Sequence, residues 1–180
     1  MKILIALLSF FFLVGNPSNE EPMLWTESKK LDWSDFKSAP NPNSDAVALT
    51  ASGITFGFSI KTTNRNRVVD FTATVESHFY PNKSWYVESM ADDYILAHEQ
   101  LHFDITELYA RMFREKLSKL KPNQNIKGQL KRLHNSINEA LDKTQKRYDF
   151  ESNHSMNPEM QKKWELFIEL ELKKLDNFKV

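Results

Sequence analysis

The chain contains no cysteine in its 180 residues. That absence excludes a disulfide scaffold, a Cys-ligated zinc finger, a thiol nucleophile and a lipid-anchored N-terminal cysteine. Glycine is scarce at 4 residues, which leaves little room for glycine-rich phosphate loops. Neither sign of charge dominates, since 24 Lys and Arg face 24 Asp and Glu. A chain with no basic excess is not built to bind nucleic acid by neutralising phosphates. No apolar run reaches the ~20 residues that a membrane-spanning helix needs. What remains is the chemistry of His, Asp, Glu, Ser and Tyr. The length suits one domain, and 41% apolar residues with 13 Phe and 4 Trp can fill a core.

Lys2 precedes an apolar run from Ile3 to Val14, followed by Gly15, Asn16 and Pro17. A short positive start, about 7–15 apolar residues and turn formers read as an export signal. Residues 1–18 are therefore expected to be a leader and 19–180 a single domain. The alternatives for the run are an uncleaved anchor or a buried strand. The leader places the mature protein in the periplasm, the cell envelope or the medium, with no stable membrane insertion after cleavage. A cysteine-free chain suits that setting, because it does not depend on oxidation.

After a polar leader, Trp25, Leu31, Trp33 and Phe36 form a first aromatic cluster. The two prolines in Ser38–Ser44 make that stretch a loop. Ile54, Phe56, Phe58 and Ile60 then alternate with polar residues, and Val69, Phe71, Ala73, Val75 and Phe79 do the same. Period-2 alternation on both sides of Asn64–Asn66 predicts an antiparallel hairpin with one wet face. From Ser89 the period becomes helical. Ser89 and Asp92 suggest a capped start, and Pro122 stops this helix after about Leu120. A second helix is expected over about Gln124–Glu151, with Ile126, Leu130, Leu133, Ile137 and Leu141 on its apolar stripe. A third opens at Asn157-Pro158, with Met160, Trp164, Phe167 and Leu175 turned inward. Strands first and helices second imply an α+β fold, a small antiparallel sheet followed by a three-helix C-terminal half.

The first helix carries His98-Glu99-Gln100-Leu101-His102, the pattern H-E-x-x-H. Four residues turn about 400°, so the imidazoles lie about 40° apart and about 6 Å along the axis, within reach of one metal ion. Glu99 projects about 100° to one side, where a general base for a zinc-bound water belongs. A match by chance has odds of about one in a hundred here, but both His also fall in the apolar stripe of a well-formed helical pattern. The competing explanation is a pair of satisfied core histidines.

A catalytic zinc needs a third protein ligand and an open position. No third His follows at the short metzincin spacing, so the ligand must come from another element. The stretch Tyr148–His154 is the best source. His154 is the first choice and Glu151 the second, with His134 third. Asp104 and Asp149 are candidates to orient a ligand imidazole. Tyr148 is a candidate donor to a developing oxyanion, and Tyr109 a packing residue with a wet hydroxyl. His78 reads as a solvated strand residue. Lys162-Lys163 and Lys173-Lys174 read as solvated helix faces.

Several of these residues together resemble a bacterial family, domain of unknown function 922, whose members are described as predicted secreted zinc-dependent proteases. The resemblance rests on Leu31-x-Trp33-x-Asp35-Phe36, Ser84-Trp85, Leu96 to Ile105 with Glu107 to Arg111, then Tyr148-Asp149, His154, Gln161 and Trp164. Gly is more usual in that family where this chain has Leu101 and Ser155. The resemblance implies His98, His102 and His154 as zinc ligands on a zincin-like helix, with Glu99 as base.

The expectation is thus an exported hydrolase holding one Zn²⁺, a metallopeptidase acting on a peptide or protein substrate. The strand Val68–Tyr80, just before the site helix, is expected to align an extended peptide beside the metal by strand addition. The rivals are a non-catalytic zinc-stabilised envelope binding protein and a metal-free helical module.

Overall fold

Alternating apolar residues in the hairpin need a cover, and the long helices supply it. The computed structural model describes residues 2–7 and 21–180, the former by backbone alone. The remainder of the expected leader, 1 and 8–18, lies outside the described residues. Strands β4 (Ser52–Thr62) and β5 (Val68–Phe79) pair antiparallel with a bulge at Lys61/Thr62. β1 (Lys2–Leu7) runs along β4, and β2 (Met23–Leu24) meets the end of β5, giving the order β1-β4-β5-β2. A separate pair joins β3 (Ala48–Leu49) to β6 (Trp85–Tyr86). Three helices follow: α1 (Asp93–Ser118), α2 (Ile126–Ser152) and α3 (Pro158–Lys174). This is the α+β arrangement that the periodicities predict. Among the described residues no helix is long and apolar enough to cross a membrane.

The caps follow local chemistry. Asp92 begins α1 by accepting from Ile95 N–H at 2.7 Å, which satisfies one orphan donor of the first turn. Ser89 belongs instead to a short 3₁₀ turn, Glu88–Met90, so the helix starts later than Ser89 suggests. Asn157 caps α3 through Met160 N–H, with Pro158 in the first helical position as expected.

Two apolar layers fix the helices. Phe56, Phe58, Ile60 and Val75 of the hairpin pack on Ala110, Phe113 and Leu117 of α1 and on Ile126, Leu130 and Ile137 of α2. Leu101, Ile105 and Leu108 pack on Leu141 and Tyr148 of α2 and on Trp164 and Ile168 of α3. The inward face of α3 is thus Gln161, Trp164 and Ile168; Phe167, expected inside, is 50% exposed and touches the edge of Trp164. The N-terminal aromatics Trp25, Leu31 and Phe36 close a third cluster with Phe79 and Phe103, while Trp33 stacks on Tyr86 at 4.6 Å.

One buried carboxylate ties these layers together. Glu107, only 2% exposed, accepts from Ser77 Oγ of β5 (2.6 Å), Arg111 Nε (2.9 Å) and Arg114 Nη1 (3.0 Å). Arg111 also donates to Leu172 O, and Arg114 to Val75 O and Phe178 O. Removing Glu107 takes the buried carboxylate from two guanidinium groups, one of them enclosed, and leaves them carbonyl acceptors and, for Arg111, Asp176 Oδ1 at 3.4 Å. Glu107→Ala is expected to destabilise the protein by about 3–5 kcal/mol, read as a lower denaturant midpoint at unchanged slope. A loss under about 1 kcal/mol would show that the network contributes little.

Candidate metal centre

The two imidazoles of H-E-x-x-H face α2. His98 is 4% exposed, and its ring packs on Tyr148 with centroids 4.6 Å apart. Gln145, Tyr148 and Asp149 stand at helical spacings of three and four, so one face of α2 presents all three to α1. Tyr148 Oη lies 2.7 Å from His98 Nδ1, and Gln145 Oε1 lies 2.5 Å from His102 Nδ1.

These contacts define which ring nitrogen is free. Gln145 Nε2 donates to His102 O (2.9 Å), a group that can only accept, so the opposite end of the amide must be its oxygen. That oxygen needs a proton on His102 Nδ1, which leaves Nε2 to face the site. The same tautomer at His98 has Nδ1–H donating to Tyr148 Oη. The Nε2 atoms then converge at 3.3 Å, and Asp149 Oδ1 sits 2.9 Å from His102 Nε2 and 3.4 Å from His98 Nε2.

Tetrahedral bonds of 2.0–2.2 Å place neighbouring ligand atoms about 3.3–3.6 Å apart, which two of these separations match, the third being the shorter 2.9 Å ion-pair contact. Two imidazole nitrogens and a carboxylate oxygen are also a donor set that suits a borderline ion such as Zn²⁺. His98, His102 and Asp149 are therefore fit to hold a divalent metal. Beside them Glu99, 5% exposed, has Oε2 buried with no hydrogen-bond partner. Its peptide carbonyl accepts from Thr50 Oγ1 at 3.1 Å, which fastens the segment after β3 to this turn of α1.

Electrostatics bind the metal-free cluster. Burial would raise the Asp149 pKa, but hydrogen bonds and charge from His102 and His98 hold it well below the usual carboxylate range. Burial likewise opposes the charged form of His102, yet Asp149, Glu99 and Gln145 outweigh it and raise its pKa above 6.5. Without metal the 2.9 Å contact needs a proton on His102 Nε2, so the ring is an imidazolium paired with Asp149. Tyr148 is pushed far up, first by burial and then by Glu99 and Asp149, so it stays a neutral phenol.

The structure does not bring the expected third ligand, His154, to the His98/His102 pair. His154 is exposed and stands apart from the cluster. The cause is backbone geometry: Asn153, His154 and Ser155 all have left-handed φ values of 49°, 51° and 69°. That turn ends α2 through His154 N–H bonded to Asp149 O (2.8 Å) and carries the imidazole outward. Ser155 is one of the positions where Gly is more usual, and its φ supplies the reason. Glu151 is engaged by Arg147 Nε and Trp164 Nε1 instead. Tyr148, the candidate oxyanion donor, is fully buried with its hydroxyl 2.7 Å from His98 Nδ1, where it holds that imidazole in place.

Other candidates lie elsewhere. His134 stacks on Phe56 (5.4 Å) in the core, and His78 Nδ1 contacts Thr55 Oγ1 on the sheet. Asp104 faces the far side of α1, taking Trp25 Nε1, Gln100 Nε2 and Lys30 Nζ. Leu101 packs toward Trp164 and Ile168. Tyr109 Oη bonds Thr144 Oγ1 (2.6 Å). Gln145 escaped the sequence reading; its one signal was a spacing of three and four residues before Tyr148-Asp149.

Two outcomes follow for solution. Asp149→Ala is expected to weaken zinc binding at least 100-fold and His154→Ala to leave it unchanged, measured by competition with a chelator; the reverse pattern would restore His154. The second concerns pH. Asp149, lowered on folding, contributes above about pH 3.8 and is lost as pH falls; His102, raised on folding, contributes fully below pH 6.5 and is lost as pH rises. Metal-free wild type is therefore expected to exceed Asp149→Asn most in thermal midpoint between pH 3.8 and 6.5. A difference independent of pH would contradict the ion pair.

A family model described as a bacterial protein of unknown function (DUF922) matches residues 28–155. No curated protein and no solved structure matches the chain. The matched span takes in the whole H-E-x-x-H helix, the Gln145-Tyr148-Asp149 face and the left-handed turn, and the chain belongs to the bacterial DUF922 family.

Proposed function

We propose that this chain is an exported zinc-dependent hydrolase, specifically a metallopeptidase, with His98, His102 and Asp149 as ligands and Glu99 as general base. The observation that carries the reading is Glu99 Oε2, a buried and unpartnered carboxylate oxygen beside two imidazoles whose Nε2 atoms converge on Asp149. Leaving such an atom unpaired costs about 1–3 kcal/mol or more, a cost that a proton-accepting role explains. Export rests on the N-terminal sequence pattern.

When bound, zinc supplies a Lewis acid that lowers the pKa of water toward about 7 and polarises a carbonyl. The chain's own residues do the rest. Glu99 Oε2 takes the proton from the attacking water and returns it to the leaving amine. Gln145 and Tyr148 keep the imidazoles from rotating by holding their Nδ1 hydrogens. The segment after β3 lies against this turn of α1, where Thr50 Oγ1 donates to Glu99 O. Val87 N–H bonds Val47 O, so alternation turns the main-chain groups of Ala48 and Thr50 away from β6. In this reading an extended substrate lies along that edge, which has no paired strand among the described residues.

Glu99→Gln tests the chemistry, because Gln is nearly isosteric and cannot accept the proton. The variant is expected to keep zinc and fold while hydrolysis of a broad peptide library falls by about 10²–10⁴-fold. Equal turnover by both proteins would remove Glu99 as base. Zinc retention with no turnover by wild type would favour the non-catalytic envelope protein.

A further inference from the structure

Strand β5 is covered unevenly. β4 pairs along its length on one side, whereas β2 on the other meets only His78 and Phe79. The direction of the open edge follows from bonds that do not go to β4. Trp25 N–H donates to Ser77 O (3.0 Å) and Arg114 Nε to Val75 O (2.9 Å). Odd-numbered residues therefore turn their main-chain groups outward. Phe71 N–H fits this pattern, being met by the carboxylate of its own neighbour Asp70 at 2.9 Å. Next to it, Ala73 faces outward with no paired strand among the described residues. The stretch Val69–Val75 has no Pro, Lys or Gly, the residues that usually blunt such an edge.

A cavity of about 440 Å³ lies beside this edge, between β5 and the last turns of α1. Phe71, Ala73, Val75, Leu117 and Val180 give it an apolar floor, and Thr74, Glu76, Arg114 and Ser118 form a polar rim. Even-numbered residues project from the opposite face of the sheet, with exposed Asp70, Thr72 and Thr74 and the half-exposed carboxylate of Glu76. The site is remote from the metal cluster, since Arg114 follows His98 by about 24 Å of helix. Only the stretch Val69–Val75 is remote in this way; the other end of β5 packs Phe79 on Phe103, beside His102.

We propose that this edge binds an extended peptide of alternating apolar and basic residues, added to the sheet as a further strand. Its main chain pairs with Ala73 and takes Phe71 N–H over from the Asp70 carboxylate, which is thereby freed for a basic side chain. Its apolar side chains enter the cavity, and its basic ones meet Asp70 and Glu76 on the other face. A second copy of the chain fits worse. In the antiparallel register centred on Ala73 it sets Asp70 against Glu76 of the other copy, and like charges directly opposite destabilise a pair.

The probe is a capped heptapeptide of alternating Lys and Val, with the Glu/Val peptide as control, added to the full chain and followed by amide hydrogen exchange. The Lys/Val peptide is expected to slow exchange at Ala73 at least tenfold and to leave His98 and His102 resonances in place. Asp70→Lys/Glu76→Lys, both on the wet face, is expected to lose at least tenfold in affinity with an unchanged circular dichroism spectrum. No protection at Ala73, or equal affinity in the charge-reversed variant, would overturn the proposal. So would protection that rises with protein concentration in the absence of peptide, because a second copy would then hold the edge.

Discussion

The two Nδ1 hydrogens of His98 and His102 set the site. Gln145 and Tyr148 accept them from one face of α2, and only then do both Nε2 atoms point at Asp149. The arrangement depends on how α2 crosses α1, which the packing of Leu101, Ile105, Leu141 and Tyr148 determines. Tyr148 serves both ends of this chain of cause, as a core side chain and as a hydrogen-bond partner. A small shift between the helices would therefore rotate the imidazoles as well as loosen the core.

Helix α1 carries different chemistry on each side. Toward α2 it presents His98 and His102, and the Glu99 carbonyl accepts from Thr50 Oγ1. On the far side Gln100 and Asp104 fasten the N-terminal segment through Leu31 N–H, Trp25 Nε1 and Lys30. Lower down, Glu107 clamps the sheet and the chain's C-terminal turns. A helix held on every side is a rigid platform, and a rigid platform keeps an unpaired carboxylate such as Glu99 in place.

The sequence discloses what repeats locally. The hairpin is legible in the alternation from Ile54 to Phe79, and the pair His98/His102 in a spacing of four on an apolar stripe. Asn157-Pro158 marks a helix start because both act on the nearest turn. What depends on helix crossing is not legible. Asp149 was visible only as one Asp among several, and nothing in the periodicity says that it meets two imidazoles. His154 looked closer to the core because α2's apolar stripe heads that way. Three left-handed residues, each about 1–2 kcal/mol above the right-handed form unless it is Asn or Gly, reverse the direction. Phe167 shows the same limit: its spacing from Trp164 suits a buried stripe, but α3 turns Ile168 inward instead.

The most direct test is zinc K-edge absorption spectroscopy on the loaded wild-type chain, which counts imidazoles around the metal. Two imidazoles and oxygen ligands at about 2.0–2.2 Å are the expected shell, with Asp149 among the oxygens. Three imidazoles would contradict it, since His154 would then have to leave its left-handed turn and join His98 and His102.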